Sequence, residues 1–194
     1  MFMKSTLAIA ALALAGSAFA DSIPYSTPGT ENPLTYSFTA SATGDLSAYF
    51  YASSAGYDET LGLLVNGVDL GITGLQNHST PYGTQLDFGN VNAGDVLTFY
   101  INVQTTGATY YSNKALNGDG VNHVYSTAFS GDGGTIPAGT YVAFEDLDHG
   151  GDFNYRDEEF VFTNTTTTVP EPASVALMLA GLGLMGAAAR RRRG

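Results

Sequence analysis

The densest group of possible metal ligands in the chain lies in residues 144–160, FEDLDHGGDFNYRDEEF. Acidic residues and one asparagine recur there at short spacings, and a glycine pair lets the backbone bend between them. Hard oxygen ligands on a chain that can bend are what Ca²⁺ requires for its six to eight contacts. The sequence therefore predicts a calcium site. Its candidate ligands are Asp146, Asp152, Asn154 and Asp157, followed by Glu145, Asp119 and Asn117.

The same stretch departs from the EF-hand calcium loop. With Asp146 at position 1, Gly150 falls at position 5, and Asp157 stands in place of the glutamate at position 12. The flanking residues also have the pattern of strands and not of helices. Two interpretations stay open. Carboxylates this close repel one another unless a cation neutralises them, but Asp and Asn also stabilise ordinary solvated turns.

The run FEDL, the glycines and the closing DFNYRD resemble the DUF4114 family of exported bacterial proteins. Upstream, LNGDGVNH at residues 116–123 resembles the element that precedes this signature. The resemblance covers about residues 95–163 and implies calcium binding, with no assigned activity. Arg156 departs from the family pattern, which often has Asn or Asp there. A cation at that position either weakens a metal site or bridges two carboxylates.

No recognisable catalytic motif accompanies these carboxylates. His78, His123 and His149 lack the spacing of a zinc site. His123 is predicted to be an ordinary surface residue; the alternative is that it supports the metal site by contacting Asp119. Paired carboxylates can hydrolyse glycosides, but here they cluster on one loop, which favours a non-catalytic protein over a glycosidase or lyase. A carbohydrate-binding module is the alternative, because tyrosines can form a sugar platform. The candidates are Tyr49, Tyr51, Tyr57, Tyr110 and Tyr111.

The N-terminal twenty residues have the pattern of a secretory signal peptide. Lys4 precedes an apolar run at residues 7–15, and Ala18 and Ala20 are the small residues that a signal peptidase reads. Cleavage is therefore expected before Asp21. A buried N-terminal helix is the alternative interpretation.

The C-terminal end has the pattern of a transmembrane helix followed by a basic cluster. Residues 173–189 carry no charge and span roughly 26 Å as a helix, slightly less than a hydrocarbon core of about 30 Å. Cations that follow such a helix stay cytoplasmic. The chain is therefore expected to hang outside the inner membrane, held by this helix.

The same end resembles the PEP-CTERM sorting signal. Its three parts are a Pro-Glu-Pro motif, a short apolar helix and terminal arginines. The resemblance implies that an exosortase processes an inner-membrane-anchored intermediate and delivers the protein to the cell surface or the exterior. A permanent single-pass anchor is the alternative. The residues that carry the signal are Val169, Pro170, Glu171, Pro172, Arg190, Arg191, Arg192 and Arg193.

Between these ends the chain is strongly acidic. Residues 21–169 hold two cations, Lys114 and Arg156, against seventeen acids, a net charge of −15. Such a surface repels nucleic acids and anionic lipids and attracts divalent cations. The chain has no cysteine, so disulfides cannot stabilise the exported domain.

Short alternating runs predict strands at residues 36–39, 46–51, 60–65, 68–72, 96–103, 140–147 and 159–163. Asn66-Gly67 favours a type I′ hairpin turn. With no amphipathic helix, the pattern predicts an all-β, jelly-roll-like β-sandwich over residues 34–164. An irregular lead-in at 21–33 precedes it, and a polar threonine linker at 165–169 connects it to the sorting signal at 170–194.

Together these features predict an exported, non-catalytic surface protein. It is expected to be stabilised by Ca²⁺ and to belong to an extracellular matrix or biofilm, where exopolysaccharide is a candidate partner.

Overall fold

The computed structural model describes residues 23–169, so the predicted signal peptide, Pro-Glu-Pro motif and transmembrane helix lie outside the described residues. No helix within residues 23–169 is long and apolar enough to cross a membrane. Two short 3₁₀ turns, Lys114–Leu116 and Asp148–Gly150, accompany the strands of this part of the chain. The strands are β1 (Ser37–Ala40), β2 (Gly44–Ala52), β3 (Glu59–Val65), β4 (Val68–Gly74), β5 (Gln85–Val91), β6 (Val96–Val103), β7 (Ala108–Tyr111), β8 (Val124–Phe129), β9 (Gly139–Phe144), β10 (Glu158–Phe162) and β11 (Thr165–Thr168).

The strands form two antiparallel sheets. The first has the order β11-β1-β6-β3-β4, with β7 also paired to β6, and the second has the order β5-β2-β10-β9-β8. Apolar side chains of both sheets share one buried core, in which the rings of Phe99 and Phe162 stack with their centroids 3.7 Å apart. The predicted all-β fold with two face-to-face sheets is confirmed.

Local sequence explains the best-predicted elements. Strand β6 covers the predicted residues, and its alternating Leu97, Phe99 and Ile101 are buried in the core. The β3–β4 hairpin turns at Asn66 and Gly67, whose φ angles are 52° and 80°, as a type I′ turn requires.

The threonine segment differs from its prediction as a linker. Thr165–Thr168 instead forms strand β11, which pairs in full register with β1. Threonine is β-branched and favours extended backbone, so a polar run can extend a sheet edge. The structure also adds β5, β7 and β8, which the alternation does not mark, and it ends β9 at Phe144, three residues before the predicted end.

A second buried cluster lies on the other face of the β2-β10-β9 sheet. Residues 23–33 of the lead-in form no strand, yet they help to cover this cluster: Tyr25 packs edge-on against Tyr155, and the Tyr155 hydroxyl donates to the Asn122 carbonyl. These contacts fix Tyr155, within the acidic stretch, against the sandwich.

Candidate metal centre

Five carboxylates meet at one end of the sandwich. Glu145 and Asp146 follow β9, and Asp157 and Glu158 lie where β10 begins, directly across the β9–β10 pairing. Glu59 opens β3 in the opposite sheet. We call these five residues the carboxylate cluster.

Three of the five form the tightest group. Carboxylate oxygens of Glu145, Asp146 and Asp157 all lie within 4.8 Å of one another, and the three residues are buried. The backbone N–H of Asp146 donates to Asp157 Oδ2 at 3.2 Å, which holds the two sides of the loop together. This spacing suits carboxylates that share one cation.

Glu59 and Glu158 are the two remaining members of the cluster. Each is 0 % exposed, and neither of their carboxylates has a hydrogen-bond partner among the described residues. Burial, followed by a contact with Asp146 that falls outside hydrogen-bond geometry, raises the pKa of Glu59. Buried carboxylates without partners are costly, so these two side chains point to a missing positive charge.

Electrostatics of the carboxylate cluster agree with its geometry. Burial, followed by repulsion from Asp157, raises the pKa of Glu145 to about 8. Burial, followed by repulsion from Asp146, raises the pKa of Asp157 to about 7. Burial likewise holds the pKa of Glu158 well above its usual value. Without a bound cation, the cluster therefore favours protonated carboxyls at neutral pH.

No lysine or arginine among residues 23–169 forms an ion pair with the cluster. Arg156, which departs from the DUF4114 pattern, lies instead 3.9 Å from Glu159. Glu159 also accepts a hydrogen bond from the Tyr141 hydroxyl. Arg156 therefore neither bridges nor neutralises the five buried carboxylates.

Asp152 and Asn154 lie at the mouth of the cluster. The Asn154 backbone N–H approaches both Glu145 Oε2 and Asp152 Oδ1, at 3.2 and 3.1 Å. A cleft of about 250 Å³ brings Asp152, Asn154, Asp146 and Asp157 together. Four of the sequence-predicted ligands thus line one cleft, with Glu59, Glu145 and Glu158 as buried carboxylates of the same end.

Asn117 does not belong to the cluster. Its side-chain oxygen accepts from the Tyr111 N–H, and its side-chain nitrogen donates to the carbonyls of Tyr111 and Val121. The amide therefore stabilises the turn between β7 and β8.

Asp119 lies in a neighbouring group with Asp148 and His149, whose possible ligand atoms are also within 4.8 Å of one another. Burial opposes ionisation of Asp119, but hydrogen bonds from Val121, His123 and His149 lower its pKa overall. Asp119 is thus an ionised carboxylate outside the buried cluster.

His123 is 0 % exposed, so its prediction as a surface residue is wrong. Its Nδ1 faces the Glu145 carbonyl and its Nε2 faces Asp119 Oδ2, each at 2.9 Å. Through these two contacts the ring joins the Asp119 turn to the acidic stretch, and Tyr110 stacks on it with the ring centroids 3.9 Å apart.

Sequence reasoning missed Glu59 and Glu158, although a signal for both existed. Successive strand residues alternate between faces, so Glu59 shares the inward face of Leu61 and Leu63. Glu158 likewise precedes Phe160 and Phe162 on an inward face. A charged residue at an inward strand position is the pattern that marks these two buried carboxylates.

A second cavity, of about 490 Å³, opens beside the carboxylate cluster. Tyr57 and Tyr110 line it together with Ala108, Leu147 and Asp146. Among the other predicted platform tyrosines, Tyr51 is buried in the second cluster, where Tyr49 packs against it; Tyr111 packs on Tyr100. The five tyrosines therefore do not form one surface.

Two family models match the chain. The PEP-CTERM protein-sorting motif matches residues 168–193, and the domain of unknown function DUF4114 matches residues 81–165. The DUF4114 match includes the whole acidic stretch but not Glu59. No curated protein and no solved structure matches the chain significantly. Both resemblances predicted from the sequence are confirmed, and the sorting motif indicates an exported protein processed by exosortase.

Proposed function

We propose that this PEP-CTERM protein with a DUF4114 domain is a non-catalytic component of the cell surface or extracellular matrix whose domain is stabilised by a calcium ion. Glu59, Asp146, Asp157 and Glu158 hold the ion with Glu145, and Asp152 and Asn154 close the mouth of the site. The cation neutralises the cluster and links β3 of one sheet to the β9–β10 pair of the other.

The observation that carries this proposal is the burial of Glu59 and Glu158 without a partner. Isolated buried charges are among the most expensive features of a folded chain. All five cluster residues offer only carboxylate oxygen, which suits Ca²⁺ better than the softer transition metals.

Export supports the same proposal. Calcium-binding modules outside cells commonly have dissociation constants near 10⁻⁴–10⁻³ M, so the domain reaches full stability after it leaves the cytoplasm. The net charge of −15 on residues 21–169 favours calcium over anionic partners. An exopolysaccharide matrix is rich in such cations and is the environment we propose for the mature protein.

Thermal unfolding of the purified mature protein tests the proposal, in EDTA, in millimolar CaCl₂ and in MgCl₂. At a hundred times its dissociation constant, a ligand adds about 2.7 kcal/mol to the free energy of unfolding, which raises the melting temperature by several degrees. Glu158→Gln should abolish this rise, because it removes a buried carboxylate from the proposed site. Asp45→Asn, at an exposed acid on β2, is the matched control. A melting temperature that calcium does not change would refute the site.

The cavity beside Tyr57 and Tyr110 favours carbohydrate binding as a second candidate function. Its volume of about 490 Å³ lies in the range of small-ligand sites, and aromatic walls suit the C–H face of a sugar ring. A polysaccharide pull-down compares Tyr57→Ala with Tyr111→Ala, a tyrosine outside the cavity. Equal retention of both variants and the native protein would exclude this cavity.

A further inference from the structure

We propose that exosortase takes this protein only after strand β11 has separated from β1, so that the last strand of the sandwich is part of the segment the enzyme binds. This inference rests on the sorting motif and on the β1–β11 edge. It does not depend on calcium.

The folded domain leaves no spacer before the motif. Strand β11 ends at Thr168, where the sorting-motif match begins, and Val169 alone separates it from Pro170 in sequence. One extended residue covers only about 3.5 Å. An enzyme working at Pro170–Glu171–Pro172 would therefore stand against the edge of the sheet.

Proteins commonly bind an extended peptide as a strand added to one of their own sheets. This mode of binding needs free N–H and C=O groups over several residues of the peptide. Residues before the motif can supply these groups only from β11. One edge of that strand is already used, since Ser37, Phe38, Thr39 and Ala40 pair with Thr168, Thr167, Thr166 and Thr165. The opposite edge of β11 is open, but successive residues of a strand direct their backbone groups alternately to the two edges. The enzyme can therefore bind every residue of β11 only after the strand separates from β1.

Strand β11 is held by hydrogen bonds and not by apolar packing; besides its pairing with β1, the Thr140 hydroxyl of β9 donates to the Thr165 carbonyl at 3.0 Å. It supplies no side chain to either apolar core cluster, and β1 is its only neighbour in the sheet. The hydroxyls of Thr166 and Thr168 donate to the carbonyls of Thr39 and Ser37 at 3.2 and 3.4 Å, partly exposed to solvent. The Thr167 hydroxyl is buried without a partner. Segments with few buried apolar contacts open at low free energy.

A disulfide across β1 and β11 tests the separation directly. The Thr39 and Thr166 hydroxyl oxygens lie 3.2 Å apart, so Thr39→Cys with Thr166→Cys places two sulfurs within bonding range. The chain has no other cysteine, and the pair oxidises only after export. Full-length protein is expressed in a host with active exosortase, and conversion of the precursor is followed by mass spectrometry.

We expect the oxidised double variant to be processed at least about tenfold more slowly than the native protein. Reduction should restore the rate, and so should a spacer of ten Gly/Ser residues inserted between Thr168 and Val169 of the double variant. Thr166→Cys alone and a Val65→Cys/Val68→Cys pair in the β3–β4 hairpin control for the substitution and for a disulfide elsewhere.

Two results would overturn the inference. One is processing of the oxidised double variant at the native rate. The other is a block that persists in the spacer variant, because the disulfide would then act on something other than access to β11. Neither result bears on the melting temperature in calcium, so the calcium proposal fails or stands separately.

Discussion

The carboxylate cluster and the β1–β11 edge place polar residues in the sandwich in opposite ways. The cluster buries five acids behind strands that carry the apolar core, and two of those acids have no partner. The edge exposes neutral threonines that add nothing to the core. We therefore propose opposite behaviour for the two regions: the first is stabilised by a bound cation, whereas the second opens at low cost.

This difference separates two requirements of an exported, processed protein. A stable domain is needed outside the cell, and an accessible segment is needed at the membrane during sorting. In our proposal, carboxylates neutralised by an external cation meet the first requirement at one end of the sandwich. The last strand, which has no apolar anchors, meets the second next to the sorting motif.

The largest expected effect is a loss of free energy of unfolding when His123, which contacts the carboxylate end of the sandwich, is replaced. His123→Ala removes a fully buried ring together with its contacts to Asp119 and the Glu145 carbonyl. Losing two such contacts in the interior costs about 2–4 kcal/mol, which urea unfolding measures directly. His149→Ala, whose side chain is 75 % exposed, should change the free energy of unfolding by less than about 0.5 kcal/mol. Equal effects of the two variants would refute the role given to His123.

The second prediction compares Glu59, which the sequence analysis did not identify, with Asp152, which it predicted as a ligand. Glu59→Gln should weaken calcium binding by about a hundredfold, because ligand charge sets affinity and Glu59 is fully buried. Asp152→Asn, at the exposed mouth, should weaken it by less than about tenfold. Isothermal titration calorimetry measures both affinities. A larger effect at Asp152 would place the ion in the outer cleft.

The fold was more predictable than the site for a physical reason. Alternation and the Asn66-Gly67 turn are local signals, so β6 and the β3–β4 hairpin follow from a few adjacent residues. Glu59 meets Asp146 and Glu158 only through the packing of two sheets, which no local pattern encodes. His123 is buried for the same reason, since its partners Asp119 and Glu145 come from different turns.

The threonine run at residues 165–168 is a different case, in which the local sequence does not decide the secondary structure. Its composition suits a linker as well as a strand, and the choice depends on the open edge of β1, far away in sequence. The sequence thus predicts the acidic stretch as a ligand source but not which of its members are buried together.

The third prediction concerns pH in the presence of EDTA. The pKa values of Glu145 and Asp157 rise on folding to about 8 and about 7, so the folded chain holds protons that the unfolded chain releases. The free energy of unfolding should therefore fall as pH rises from 5 to 8. Chemical denaturation across this range measures the slope.

Glu145→Gln should reduce that slope without abolishing it, because it removes one titrating group while Asp157, Glu59 and Glu158 still take up protons on folding. The exposed His78, whose pKa is raised by its hydrogen bond to Asp58, acts in the same direction and is unchanged in this variant. Saturating calcium should also weaken the dependence, since the cation expels the protons. No residue of β1 or β11 titrates in this range. A slope that Glu145→Gln leaves intact would assign it to other groups.

The smallest expected effect concerns the β1–β11 edge. Thr167→Val replaces a buried hydroxyl without a partner by a methyl group of similar shape. It should raise the free energy of unfolding by roughly 1 kcal/mol. If this gain stabilises the pairing of β11 with β1, processing should slow by about fivefold. A free energy of 1.4 kcal/mol corresponds to a tenfold change in an equilibrium constant, and about 1 kcal/mol to roughly a fivefold change. Thr166→Val, which loses an exposed hydrogen bond to Thr39, should not slow it. A Thr167→Val protein that is more stable yet processed at the native rate would show that the gain lies elsewhere than in the separation of β11.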